Sequence, residues 1–193
     1  MFDELFRSVS VFINFSKKER RAFQNSFTFR EVPKNFTLIS EGQIANELYF
    51  INKGLLRLYY NNDGDFITGY IFREHLFAGS YDSFLQSSPS IQYLETLEDS
   101  ELLVLTKENL DGLYRSMPGI NLLTRQIAEQ RFINAQQILS SFILESPESR
   151  YLKFVQKDKD LFLRVPHHMI ASYLGITPVS LSRIRKRLME KGK

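Results

Sequence analysis

Residues Val165 to Leu188 read VPHHMIASYLGITPVSLSRIRKRL, and this stretch decides the architecture of the terminal part of the chain. Pro166 suits a helix start and Gly175 a helix end. Thr177 is a good N-cap residue, and Pro178 follows at the first helical position, where a missing N–H costs nothing. Two short helices joined by a glycine-containing turn make a helix-turn-helix. The apolar residues Ile170, Ala171 and Leu174 are expected to face Ile176, Leu181, Ile184 and Leu188, with Ala171 small enough for a close crossing.

The same spacing divides the second helix into two faces. At about 100° per residue, Leu181, Ile184 and Leu188 cluster on one side. Val179, Ser182, Arg183 and Lys186 fall opposite, where a helix meets the major groove of DNA. Arg183 has the fork that bonds guanine bidentately, and Ser182 and Lys186 have the reach for base edges or phosphates. Arg185 and Arg187 lie on the flanks, better placed for phosphates. With Thr177 and Ser180 at the helix start, these residues form the candidate DNA-binding set. The competing reading is a merely solvated basic face.

Charge favours the DNA reading. Residues 164–193 hold seven Lys/Arg against one acid, Glu190, a net +6, while residues 1–163 carry net −3. A basic terminus on a mildly acidic body is suited to a polyanion. The whole chain has 193 residues, 43% hydrophobic and 24% charged, an ordinary globular composition. Mean hydropathy is −0.24, and no run approaches the ~20 apolar residues of a membrane span. No secretory signal is read at Met1-Phe2-Asp3-Glu4-Leu5, so a cytoplasmic location is expected. The absence of Cys excludes disulfides, thiolate zinc sites, Cys-ligated iron–sulfur clusters and Cys nucleophiles.

Upstream the texture changes twice. Residues 1–27 read as helical, with a capping box at Ser16-Lys17-Lys18-Glu19. From Thr28 to Thr106, β-branched and aromatic runs at 28–32, 36–39, 48–53, 55–60, 66–72, 91–97 and 101–105 alternate with turn residues. Such spacing predicts a small barrel or jelly roll. Helices are expected at 107–117 and 119–145, broken by Met117-Pro118-Gly119. The longer one carries two stripes: Ile120, Leu123 and Ile127, then Ala128, Phe132, Ala135, Leu139 and Phe142 with heptad steps. The second stripe predicts burial against a twofold mate or against the barrel. Ser146-Pro147-Glu148-Ser149 reads as a break and candidate hinge, followed by a helix at 149–157, a polar turn at 157–160 and a short apolar run at 161–165. The expected division is a barrel at 1–118, a long helix at 119–145 and a terminal domain at 146–193.

At this point the residues resemble a known family. The terminal segment, with its Ser182-Arg183 pair, resembles the recognition motif of Crp/Fnr-type bacterial transcription regulators. Pro33-x4-Leu38-Ile39-x-Glu41-Gly42, Tyr49-Phe50-Ile51-x2-Gly54 and Leu56-Arg57-Leu58-Tyr59 resemble successive strands of the family's barrel. The resemblance implies an α+β protein with a double-stranded β-helix (jelly-roll) sensor, a long dimerisation helix and a winged helix-turn-helix. It also implies a homodimer on a palindromic site of double-stranded DNA that touches RNA polymerase. Pro178 and Val179 stand where the family's strongest readers have Arg and Glu, so the base preference must differ.

The resemblance also locates an effector pocket. Cyclic-nucleotide-binding members have Gly-Glu, then Arg-Ser/Thr eleven residues after the Gly. Here Phe77-Ala78-Gly79-Ser80 fits the start, and the count reaches Ser90 and Ile91. Ser80 replaces the Glu, Ser90 the Arg, and Ile91 the hydroxyl residue. A buried phosphate without a paired cation loses a charge-assisted bond of ~1.5–3 kcal/mol. Cyclic AMP is therefore not expected in the usual pose, and the effector is an unknown small molecule. Arg73 lies four residues before Phe77 but reads as a surface or salt-bridge residue. His75 is the only barrel His, too little for a haem or cupin-type metal site. Glu41, Glu47, Asp63 and Asp65 fall at turns or strand ends. No enzyme motif stands out, and no cofactor or metal is expected. The alternative function is a small-molecule-binding barrel that acts on a protein partner.

Overall fold

The computed structural model describes residues 1–191. Two compact units are present: Met1–Tyr60 with Tyr70–Gln130, and Asn61–Gly69 with the chain from Arg131 on. Among the described residues no helix is long and apolar enough to cross a membrane.

The first unit begins with two helices rather than one continuous helical stretch: α1 (Asp3–Val9) and α2 (Lys17–Asn25). The expected capping box opens α2, with Ser16 Oγ accepting from Glu19 N–H and Glu19 Oε2 accepting from Ser16 N–H. Phe6, Phe15, Phe23 and Phe27 then pack with ring centroids 5.0–5.9 Å apart.

Eight strands follow: β1 (Phe27–Val32), β2 (Thr37–Ile39), β3 (Glu47–Lys53), β4 (Leu56–Asn62), β5 (Asp65–Phe72), β6 (Phe77–Ala78), β7 (Tyr93–Thr96) and β8 (Ser100–Thr106). They form two four-stranded sheets, ordered β1-β8-β3-β6 and β2-β7-β4-β5. Apolar residues of both sheets, among them Phe50, Leu103, Leu105, Leu58 and Leu94, share one core. This is the jelly roll the strand spacing predicts. Central strand β8 is buried through Leu102, Leu103, Val104 and Leu105, as its unbroken apolar run requires. On the second sheet, buried Arg57 pairs with Glu95 across β4 and β7 at 3.1 Å, and Tyr59 stacks on Tyr93. Burial, then the Glu95 charge, pushes the Tyr59 phenol up.

Two elements escape the strand pattern. β6 has only two residues, and α3 (Tyr81–Gln86) lies between the two halves of the expected cassette. Helix α4 (Lys107–Ser116) is capped by Thr106 and packs on β8. Helix α5 (Ile120–Leu144) keeps its first stripe in the core, with Ile120 and Leu123 buried and Ile127 packed against it. The second stripe is open: Phe132 is 66% and Leu139 53% exposed, and Ala128 and Ala135 are also exposed.

The second unit carries α6 (Pro147–Lys157), α7 (Lys159–Arg164), α8 (His167–Tyr173) and α9 (Pro178–Lys191). Helix α7 replaces the expected turn and apolar run, because Leu161 turns inward on a helical rather than extended backbone. No strand follows β8 among the described residues, so the wing implied by the resemblance is not among them. Lys193 lies outside the described residues, as does the side chain of Lys191.

Candidate nucleic-acid interface and sensor cassette

The helix-turn-helix forms as its sequence predicts. Gly175 takes φ +66°, a left-handed conformation that glycine adopts without a Cβ penalty. Ile176 N–H then bonds Ala171 carbonyl at 3.0 Å, closing the turn. Thr177 Oγ1 caps α9 by accepting from Ser180 N–H at 3.1 Å and also bonds the Ser180 hydroxyl at 3.0 Å. Ile170, Ala171, Leu174, Leu181 and Ile184 are buried, as are Tyr151, Phe154 and Leu161 of α6 and α7. Leu188 is only half-buried.

This packing fixes which face of α9 is open. Val179, Ser182, Arg183 and Lys186 are all exposed, the four residues the wheel places opposite the core. Among the described residues Arg183 has no ion-pair or hydrogen-bond partner. Among the described residues Lys186 has a single acid near it, Glu190 at 4.0 Å on the same helix. Ser182, Arg185, Lys186, Met189 and Glu190 line a shallow groove along the helix.

The two flanking arginines are engaged within the unit. Arg185 bonds His167 Nδ1 at 3.1 Å and lies over the Phe162 ring, which stacks on His167. Arg187 forms an ion pair with Glu148 in the first turn of α6. Both were expected to be placed for phosphates. Their partners lie 18 and 39 residues away and leave no trace in a helical wheel.

The cassette presents the opposite condition. Ser80 and Ser90 meet in the structure: their hydroxyls are 2.8 Å apart, and each residue is 1% exposed. The surrounding groups satisfy them. Ser80 Oγ lies 2.9 Å from Asp82 Oδ1 and 3.1 Å from Gln92 Oε1. Ser90 Oγ lies 2.9 Å from the Gln92 carbonyl and accepts from Gln92 N–H at 3.0 Å. Gln92 Nε2 donates to the Tyr60 hydroxyl at 2.7 Å. Backbone bonds Gly42 N–H to Ser90 carbonyl and Ser90 N–H to Gln43 carbonyl pin the loop to its neighbour.

Among the described residues no cation bonds Ser80, Ser90 or Gln92. The nearest charge is the Asp82 carboxylate, which repels an anion. Ile91 is 61% exposed and does not join the network. Phe77 belongs to the core instead, packing on Phe50 and Phe27. Gly79 presses on β3, where a Cβ would sit 2.7 Å from Leu48 Cδ2. The two hydroxyls are thus bonded within the protein, beside a carboxylate.

Comparison with known proteins agrees with this geometry at the level of fold. Residues 29–117 match the cyclic nucleotide-binding domain family. The anaerobic regulatory protein of Bacillus subtilis is 33% identical over 85 residues, 44% of this chain and 36% of that protein, so the chain spans little more than a third of that relative. The cyclic AMP receptor protein of Thermus thermophilus is 23% identical over 172 residues, 86% of this chain and 79% of the relative. The structure of FixK2 from Bradyrhizobium japonicum superposes with a TM-score of 0.74 at 19% identity, covering 86% of each chain.

Proposed function

We propose, of a chain that carries a cyclic nucleotide-binding domain in the architecture of the Crp/Fnr regulators, that it is a cytoplasmic homodimer binding double-stranded DNA through α9. Its barrel senses a small effector other than cyclic AMP in the usual pose. It contacts RNA polymerase, as the family resemblance implies. Residues 1–118 act as sensor, 119–145 as dimerisation helix and 146–193 as DNA-binding domain.

The observation that carries this reading is the open face of α9: Val179, Ser182, Arg183 and Lys186 exposed on a helix whose other side is packed. Arg183 is the base reader, with Ser182 and Lys186 beside it. The exposed α5 stripe supports the dimer, because an apolar seam of two aromatic or branched residues and two alanines is what a second copy of the helix would cover. Two recognition helices in such a dimer sit ~34–36 Å apart, one turn of DNA.

Binding-site selection from random duplexes, with and without cell extract to supply an effector, tests the reading. The expected result is a palindromic motif and affinity that falls steeply with salt. No motif at any salt, with extract present, would replace DNA binding by action on a protein partner.

A further inference from the structure

The corner between α5 and α6, which the sequence marks as a break and candidate hinge, is crossed by several side-chain contacts. Ser146 caps α6, accepting from Ser149 N–H at 3.2 Å, and Pro147 occupies the first turn. Lys153 Nζ reaches back to Glu145 Oε1 at 2.7 Å. At the centre is Arg150. Its Nη1 donates to the Glu145 carbonyl at 2.8 Å, just beyond the end of α5, and its Nε donates to the Leu174 carbonyl at 3.0 Å, at the end of α8. One guanidinium thus satisfies orphan carbonyls at two helix C-termini, where a positive charge is also favoured by the dipoles. The same group stacks 4.8 Å from the ring centroid of Phe142 in the last turns of α5. The Phe142 ring in turn lies against Gly175, where any Cβ would collide with it. Phe142, 44% exposed, therefore takes part in this joint while still showing part of its ring on the open stripe of Phe132 and Leu139.

We propose that Arg150 is a positioning residue that makes the C-terminal half of α5 and the helix-turn-helix a single body, so that pairing along α5 sets the spacing of the two recognition helices. The proposal rests on the DNA-binding reading for its consequence, but its mechanical content is measurable without DNA.

The test uses the full chain, which has no native Cys. Spin labels on Gln136→Cys and Met189→Cys, diluted with unlabelled chains, report the distance from α5 to α9 within one copy. The parent is expected to give one narrow distribution, Arg150→Met a broad one, and Arg150→Lys an intermediate one, since an ammonium holds one carbonyl without the planar fork. A distribution as narrow in Arg150→Met as in the parent overturns the proposal. Should Arg150→Met not fold, Arg150→Lys decides alone by the same criterion. On selected DNA, Arg150→Met should lose about tenfold on the full palindrome and stay within about twofold of the parent on an isolated half-site, because only the gain from simultaneous engagement is removed. Equal losses on both sites overturn it. A parent that binds no DNA sinks the functional reading, while the label distances still judge the joint.

Discussion

The cassette of the barrel and the outer face of α9 are both rich in polar residues, yet they stand in opposite states. Ser80 and Ser90 are buried and bonded to each other, to Gln92 and to Asp82. Ser182 and Arg183 face solvent on a capped helix, and Arg183 has no partner among the described residues. Polar composition alone does not make a binding site. A group whose hydrogen bonds are already made must break them to take a ligand, whereas an exposed cation gives up only water and counterions.

The contrast breaks outright if the cassette takes cyclic AMP. Calorimetry is expected to show no micromolar binding by the unaltered chain, and a micromolar isotherm would mean that the hydroxyl network opens and finds a cation elsewhere. Next in size is the question whether α9 acts singly or in pairs. Phe132→Asp should turn a dimer into a monomer in sedimentation at tens of micromolar and lower full-palindrome affinity by about 100-fold, by placing unpaired charges in the seam. A strictly monomeric parent would remove the dimer.

Single side chains sharpen the comparison further. Arg183→Ala should cost ~1–3 kcal/mol of DNA affinity and relax preference at one base pair per half-site, with unfolding stability moved by less than about 0.5 kcal/mol. An unchanged selected motif would show that Arg183 reads no base. Ser90→Val should do the reverse. It leaves Ser80 Oγ and Gln92 N–H short of a partner, at a cost of about 1–2 kcal/mol in urea unfolding, with DNA affinity unchanged. The smallest effect is expected at Arg187→Ala. Its exposed ion pair with Glu148 contributes only ~0.2–1 kcal/mol, and the salt slope of DNA binding should stay as it is. Lys186→Ala should shallow that slope by about one unit. A shallower slope for Arg187→Ala would show that DNA takes Arg187 away from Glu148.

What the sequence discloses follows the range of the interactions. The capping box at Ser16, the glycine turn at Gly175 and the cap at Thr177 are set by residues within five positions of one another, and all form where the pattern puts them. The strands from β1 to β8 agree with the alternation and turn residues to within a few positions, apart from β6. The short α3 is hidden because six residues are too few for a helical period, and the Ser80 hydroxyl that would advertise an N-cap is bonded across the cassette instead. The family count locates Ser80 and Ser90, but neither their meeting nor its closure by Gln92 and Tyr60 is legible, since Tyr60 comes from another strand. The partners of Arg185, Arg187 and Arg150 are likewise tertiary. A wheel assigns a face to a side chain, and only the packed neighbours decide whether that face is free.

The pairing of β1 with β8 has a kinetic consequence. Phe27 pairs with Leu105 and Val32 with Ser100, so almost the whole barrel sequence forms the loop that this ladder closes. The contacts between α8 and α9, by contrast, join neighbours in the chain. Loop-closure entropy delays the first and spares the second. A refolding chain should therefore assemble its helix-turn-helix while β1 and β8 still have open edges, and it is from those edges, not from the basic helices, that self-association during folding would begin.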